Sequence, residues 1–343
     1  MAAIGVIGAG TWGVALARML CRSGHEVRLW SPHPDSLERL RETRVQRNLP
    51  GVLLPQEVEC TPEMSRLCQG RELVLFVVPS VFIRQAARLC APYLRGEELL
   101  VNASKGIEAE SLLTMTEVIA QETRREGREP RVAALSGPTH AEEVARDLPS
   151  TIVSACEDLE TARRIQDIFM NTSMRVYTNQ DLKGVELCGA LKNIVALAAG
   201  ISDGLGYGDN AKAALITRGL AEMERLGDAL GCLRETFAGL AGMGDLIVTA
   251  TSRHSRNHRC GYYIGQGSTP QEALRQVGMV VEGVNAVPAA LALSRRCQVE
   301  MPILNAVDGV LHRGEDPRDA VAALMNRDRK TELPPARGAA QKI

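Results

Sequence analysis

The chain has almost no net charge: 40 Lys and Arg residues face 41 Asp and Glu over 343 residues, leaving −1. No global field therefore draws it to nucleic acid or to an anionic membrane, and affinity for phosphate must come from a local cluster. Paired cysteine spacings are also missing. Nine cysteines are scattered without a single C-x-x-C, so neither a disulfide framework nor a zinc site is indicated, and reduced cytoplasmic thiols fit. No metal is expected. No basic stretch precedes the apolar residues between Met1 and Leu20, and Gly5, Gly8, Gly10 and Gly13 interrupt them. That pattern suits neither a secretory signal nor a membrane helix. Neither a nucleic-acid partner nor stable membrane association is expected, and no repeat occurs at solenoid periods.

What is present fits a soluble globular chain, with 45% hydrophobic and 24% charged residues. Its length exceeds a comfortable single core and predicts two domains.

The apolar run Ile4-Gly5-Val6-Ile7 leads into Gly8-Ala9-Gly10-Thr11-Trp12-Gly13, then into a helical pattern through Leu16, Met19 and Leu20. Strand, G-x-G-x-x-G and helix in that order form the dinucleotide fingerprint. Gly8 permits a tight turn, Gly10 admits a pyrophosphate to backbone N–H groups, and Gly13 lets helix and strand pack. The helix N-terminus then faces the phosphates with partial positive charge. A second strand, Val27 to Trp30, ends in Ser31-Pro32-His33-Pro34, with no acid before Asp35. An acid there would bind the ribose 2′-OH and repel a 2′-phosphate. Ser31 and His33 instead favour NADP(H) slightly and leave NAD(H) open.

Apolar runs at 73–78, 99–102, 132–135 and 151–154 alternate with helical stretches, which predicts βαβ units and a mainly parallel sheet. Ligands of such sheets sit beyond the carboxyl ends of the strands. Three of those ends carry polar turns: Val78-Pro79-Ser80, Ser104-Lys105-Gly106 and Ser136-Gly137-Pro138-Thr139-His140-Ala141. Lys105 suits a phosphate or a polarised carbonyl. Ser136 and Thr139 supply hydroxyls around the Gly-Pro turn.

From about Asp181 the period becomes helical. Leu187, Leu191, Ile194 and Ala198 define a buried stripe, while Gly189, Asn193, Ala196 and Gly200 define a face of small residues with Lys192 beside it. Small residues let a ligand approach the backbone, and a Lys–Asn pair offers a proton and hydrogen bonds. Residues 211–230 predict an amphipathic core helix, begun by Asp209 or Asn210 as a cap after a glycine-rich turn. Asp245, set among glycines and aliphatics, needs a partner. Lys192 is the natural one, unless Asp245 caps a helix. Arg253 to Arg259 is the densest basic cluster, either a local phosphate receptor or a solvated loop. The Pro-, Gly- and Ala-rich residues 333–343 predict a disordered tail.

Taken together, the segments from Ile4 to about Glu332 resemble the soluble NAD(P)-dependent sn-glycerol-3-phosphate dehydrogenases. The likeness rests on Gly8 to Gly13, Leu49-Pro50-Gly51, Val78-Pro79-Ser80, Ser104-Lys105-Gly106, Ser136-Gly137-Pro138, Lys192-Asn193, Gly208-Asp209-Asn210, Gly244-Asp245-Leu246, Ser255-Arg256-Asn257 and Glu282-Gly283. Leu324-Met325-Asn326-Arg327, then Lys330 and Glu332, also fit. The resemblance implies an α/β protein. An N-terminal Rossmann-type doubly wound sheet would span residues 1–180, and an all-helical C-terminal substrate domain 181–332, with the site between them. It implies reversible hydride transfer between NAD(P)H and dihydroxyacetone phosphate, giving sn-glycerol 3-phosphate for glycerophospholipid synthesis.

By the same likeness Lys192 is the proton donor and acceptor. Lys105, Gly137, Thr139, Asn193, Asp245, Ser255, Arg256 and Asn257 join it on the substrate. Thr11, Trp12, Lys105, Ala141, Arg256, Val280 and Glu282 join Gly8, Gly10, Gly13 and Ser31 around the cofactor. Pro32 stands where the family often has a basic residue or His, which leaves the choice between NAD and NADP open. Other two-domain hydroxyacid dehydrogenases share the Rossmann half and a helical Lys–Asn element, and a non-catalytic NAD(P) sensor would share the first half. The basic loop around Arg256 favours a phosphorylated substrate over either. Oligomeric state stays open, a homodimer included.

Overall fold

A computed structural model of the chain describes residues 1–171, 173–329 and 331–332. The tail expected at 333–343 lies outside the described residues, as does Lys330. An eight-stranded sheet runs in the order β3-β2-β1-β4-β5-β6-β7-β8. The strands are β1 (Ala3–Ile7), β2 (Glu26–Trp30), β3 (Glu59–Thr61), β4 (Leu73–Phe76), β5 (Leu99–Asn102), β6 (Arg131–Ser136), β7 (Ser150–Ala155) and β8 (Met174–Asn179). All neighbours pair in parallel except β6 and β7. The β6–β7 connection carries only the one-turn helix Ala141–Val144, too little for the crossover that a parallel pair requires.

Six of these strands match the apolar runs of the sequence. The other two, β3 and β8, are the outer strands of the sheet. In β8, Arg175 and Tyr177 face out while Met174 and Val176 are buried, so no continuous apolar run marks it. Strand order reverses at β1, which lies between β2 and β4. A doubly wound sheet opens its ligand crevice beyond the carboxyl ends at such a point.

The central helix of the second half is Leu182–Gly204. Its sequence pattern predicts one buried stripe, but the structure buries every residue from Gly184 to Ser202. The helix is long and apolar enough to cross a bilayer by composition, yet its apolar window is wholly buried inside the fold. A helix that is hydrophobic all round belongs to a core.

Its small residues serve two purposes. At the Gly200 end the close neighbour is another helix, Arg256–Gly265. A Cβ on Gly200 would lie 2.0 Å from His258 O, and one on Gly204 would lie 2.3 Å from Tyr262 O. From the partner helix, a Cβ on Gly261 would meet Leu197 O at 2.1 Å, and one on Gly265 would meet Ile201 O at 2.3 Å. At the Gly189 end the neighbours are Lys105 Cγ and Ser136 Oγ, both at 3.3 Å. The small face is therefore divided between helix packing and the site. Gly261→Ala is expected to lower stability by about 1–3 kcal/mol, read from the urea midpoint; a parental midpoint would refute this packing.

One further expectation changes. The helix Asp209–Ala229 is capped by Gly208 without a side-chain bond, and Asp209 lies in its first turn. Leu215 and Ile216 pack partly buried against the core, and the fully buried residues lie between Gly219 and Gly227, as an amphipathic core helix requires.

Candidate active site

The β1 turn has the geometry that phosphate binding needs. Gly8 adopts φ +121°, a conformation side chains rarely take, and its N–H donates to Trp30 O at 2.9 Å. A Cβ on Gly13 would lie 1.8 Å from Gly8 O, whereas Gly10 faces open space. Thr11 Oγ1, at the start of the helix Thr11–Arg22, is buried with no hydrogen-bond partner among the described residues. An orphaned hydroxyl beside an open glycine and a helix N-terminus fits a dinucleotide phosphate. Trp12 and Ala141 are partly buried against the same N-terminal core. Ser31 is buried where β2 ends, its Oγ accepting the His33 N–H at 3.3 Å, which leaves its own proton to donate.

Across the rim, β5 and β6 present the turns that carry Lys105 and Gly137. Lys105 Nζ donates to Asp245 Oδ2 at 2.5 Å and to Gly137 O at 3.1 Å, and Thr139 Oγ1 donates to Gly137 O at 3.1 Å. Lys192, from the central helix, donates to the other carboxylate oxygen, Asp245 Oδ1, at 2.7 Å, and to Thr249 Oγ1 at 2.5 Å. One carboxylate thus holds two lysines, one from each half of the chain. Lys192 and Asp245 are buried, their side chains 6% and 1% exposed, while Lys105 is 18% exposed.

The electrostatics of this trio follow from burial. Desolvation brings the Lys192 ammonium down to about 7, with Asp245 opposing and the Lys105 charge adding to the fall. Burial alone would raise the Asp245 carboxyl, but the Lys105 and Lys192 ammoniums outweigh it and hold it below its usual value. Asp245 begins the helix Asp245–Thr251 after a π-helical turn, Leu240–Gly244. It is an ion-pair partner, and the cap position belongs to Gly244. Burial also pushes the His140 imidazole down, and its Nε2 has no partner among the described residues. His254 of the basic loop stands 5.8 Å away, ring to ring.

The basic cluster divides by helical position. Ser255 caps the helix Arg256–Gly265, its Oγ accepting the His258 N–H at 3.2 Å. Arg256 is exposed and Asn257 buried, while His258 Nε2 meets Asp203 Oδ2 at 2.8 Å. Asn257 Nδ2 donates to Asn193 Oδ1 at 2.8 Å, Asn193 Nδ2 donates to Gly189 O at 3.0 Å, and Gly283 N donates to Asn257 Oδ1 at 2.8 Å. Both predicted asparagines therefore lock three helices together beside Lys192. Glu282 spans the two halves: its carboxylate accepts the Ser80 N–H at 2.9 Å and the Ser80 hydroxyl at 2.5 Å. Val280, two residues earlier, is half-buried.

Sequence reasoning missed three features. Thr249 gave a faint signal, one helical turn after Asp245. Lys105 as the second partner of Asp245, and Ser80 as the anchor of Glu282, gave none, because each pair joins segments far apart in the chain.

A dinucleotide turn on a doubly wound sheet, together with a buried lysine whose proton is loosely held near neutral pH, defines a nicotinamide-dependent dehydrogenase. The sequence models described as the N-terminus and C-terminus of NAD-dependent glycerol-3-phosphate dehydrogenase match residues 3–162 and 181–322, and the chain belongs to that family. Glycerol-3-phosphate dehydrogenase (NAD(P)+) 2 of Lactobacillus delbrueckii subsp. bulgaricus is 58% identical over 335 residues, covering 97% of this chain and 99% of that protein. The glycerol-3-phosphate dehydrogenase (NAD(P)+) of Pelotomaculum thermopropionicum is 50% identical, covering 96% of this chain and 95% of that one. Among solved structures, glycerol-3-phosphate dehydrogenase from Coxiella burnetii superposes with a TM-score of 0.91 at 37% identity, covering 95% of this chain and 99% of that one.

Proposed function

We propose that the cleft between the sheet rim and the helical half transfers hydride reversibly between NAD(P)H and C2 of dihydroxyacetone phosphate, giving sn-glycerol 3-phosphate, with Lys192 moving the proton. The observation that carries this reading is the Asp245 carboxylate shared by Lys192 and Lys105. Hydride arriving at a ketone carbon leaves an alkoxide, which needs a proton and a nearby positive charge. Lys192 Nζ supplies the proton, and Lys105 supplies a second charge on the same side. The bound reduced nicotinamide supplies the hydride. Gly8, Gly10, Thr11, Trp12, Gly13, Ser31, Ala141, Val280 and Glu282, with Lys105 and Arg256, are the residues assigned to hold it. Either nucleotide is accepted in this assignment, since no carboxylate ends β2.

The substrate phosphate is assigned to Arg256, Ser255 and the N-terminus of their helix, because a guanidinium and a helix N-terminus both favour a phosphate. Gly137, Thr139, Asn193 and Asn257 are assigned to the rest of the substrate. We divide the chain into a cofactor domain, 1–180, and a substrate domain, 181–332, because β8 ends at Asn179 and the central helix begins at Leu182. Nine free cysteines support a cytoplasmic setting, and glycerophospholipid synthesis is the use proposed for the product. A homodimer is the assembly to test by light scattering.

The assay follows reduced-nicotinamide absorbance with dihydroxyacetone phosphate, running NADPH and NADH in parallel. Turnover with either supports the reaction and their kcat/KM ratio ranks the cofactors. Binding without turnover defeats the reading. Arg256→Ala is expected to raise substrate KM by about one to two orders of magnitude, the worth of a charge-assisted phosphate contact. Unchanged KM and kcat would remove Arg256 from the phosphate.

A further inference from the structure

The central helix carries a second buried ionisable group that the proton transfer does not use. Glu186, only 5% exposed, lies six positions before Lys192, about 9 Å along the helix axis. Its Oε1 accepts the Asn102 Nδ2 N–H at 2.9 Å and the Thr116 backbone N–H at 3.0 Å, and its Oε2 accepts the Thr116 hydroxyl at 2.5 Å. All three donors are uncharged and belong to the cofactor half. Burying a carboxylate without a cation is costly unless its hydrogen bonds are complete. A structural role alone would be filled more cheaply by an apolar side chain, so what Glu186 holds matters.

It holds the turn that carries Lys105. Asn102 ends β5, and its Nδ2 also donates to Ser104 O at 2.9 Å while its Oδ1 accepts Ser104 N at 2.9 Å. The amide therefore grips both backbone groups of the residue before Lys105. The Ser104 hydroxyl donates to Val78 O at 2.5 Å, tying this turn to the next one on the rim. Gly106 faces Ser80, whose Cβ would lie 2.3 Å from a Cβ at that position. Lys105 then reaches Asp245, and Asp245 reaches Lys192. The contacts run from Glu186 through Asn102, Ser104, Lys105 and Asp245 to Lys192, closing a ring that starts and ends on one helix.

We infer that Glu186 and Asn102 are positioning residues of this reaction: Glu186, through the Asn102 amide, sets where Lys105 Nζ meets Asp245 and so fixes the surroundings of Lys192. The inference rests on the assignment of Lys192 given above. Its electrostatic consequence is specific. When Lys105 slips from Asp245, the carboxylate is left to Lys192 alone, and the like charge beside Lys192 recedes. Both changes make Lys192 hold its proton more tightly.

The test uses Glu186→Met, which keeps the length of the side chain but removes both acceptor oxygens, and Asn102→Ala, which releases Ser104 and leaves the Thr116 bonds of Glu186 intact. Each is expected to lower kcat/KM for reduction by about ten- to a hundredfold, the cost of a small misplacement at a reacting group. In each, the pH at which reduction declines moves upward. Introduced into a Lys105→Met background, neither adds a further loss, because residues acting through one another are not additive. Full additivity with Lys105→Met, or a parental pH profile, overturns the inference. Should Glu186→Met fail to fold, Asn102→Ala gives the answer by itself. A Lys192→Ala enzyme with parental turnover would instead defeat the underlying assignment, whereas an inactive Lys192→Ala with additive losses at 186 and 105 defeats only this inference.

Discussion

Lys192→Ala is expected to lower turnover of dihydroxyacetone phosphate by about a thousandfold, the middle of the range for removing a positioned general acid, while NADPH binds as before. Two facts separate these effects. Lys192 Nζ lies on Asp245 and Thr249 in the helical half, and the glycine turn lies at the end of β1. Turnover within a few fold of the parent would remove Lys192 from the proton transfer.

The same lysine fixes the sign of the pH dependence. Its value is lowered to about 7 in the folded chain, so the donor is present below that pH and is lost as the pH rises through it. The kcat/KM for ketone reduction is therefore level on the acid side and falls about tenfold per unit above the transition. Oxidation of glycerol 3-phosphate needs the neutral amine, so its kcat/KM rises with pH through the same window and then levels. Profiles that fail to mirror each other would argue against a single group serving both directions. Lys192→Arg, which stays charged at every accessible pH, should erase the reductive decline in whatever activity it retains.

Asp245→Asn is expected to have the second-largest effect, and on two properties at once. The carboxylate gives one oxygen to each lysine, whereas an asparagine offers one acceptor and turns two N–H groups toward the ammoniums. Breaking a buried pair while leaving its charges in place costs about 3–5 kcal/mol. The protein can recover part of that by releasing the Lys192 proton, which the lost counter-charge makes easier. Reduction at neutral pH should then fall by about two to three orders of magnitude, with partial recovery toward acid pH as the lysine is recharged. Urea unfolding measures the stability loss, and kcat/KM between pH 5.5 and pH 8, roughly the span over which such a group titrates, measures the rest. An Asn variant with parental stability and activity would show that the carboxylate balances neither lysine.

Much of the site is legible in the chain because it is local. The glycines at 8, 10 and 13 meet the backbone demands read from their spacing: a positive φ, an open approach and a contact with no room for a Cβ. The polar turns after β4, β5 and β6 follow from the rule that parallel strands present their carboxyl ends on one rim. Lys192 announces itself as a cation inside an apolar helix, and Asp245 as an acid that must have a partner. Period and local cost determine these features, and both are properties of neighbouring residues.

Other features are decided by packing between distant segments. The face of Gly189 to Gly200 looks uniform in the sequence, yet one end touches Lys105 and the other a helix backbone. Nothing local pairs Asn193 with Asn257, but the crossing of their helices turns them onto each other. Strand β8 carries no continuous apolar run because, as an outer strand, it buries only one face. Above all, the chain specifies an acid needing a cation, while only the fold supplies two, from residues 105 and 192. A carboxylate has two oxygens and accepts whichever donors the backbone brings within reach. Which donors those are depends on how the sheet rim meets the central helix, and no local pattern encodes that meeting.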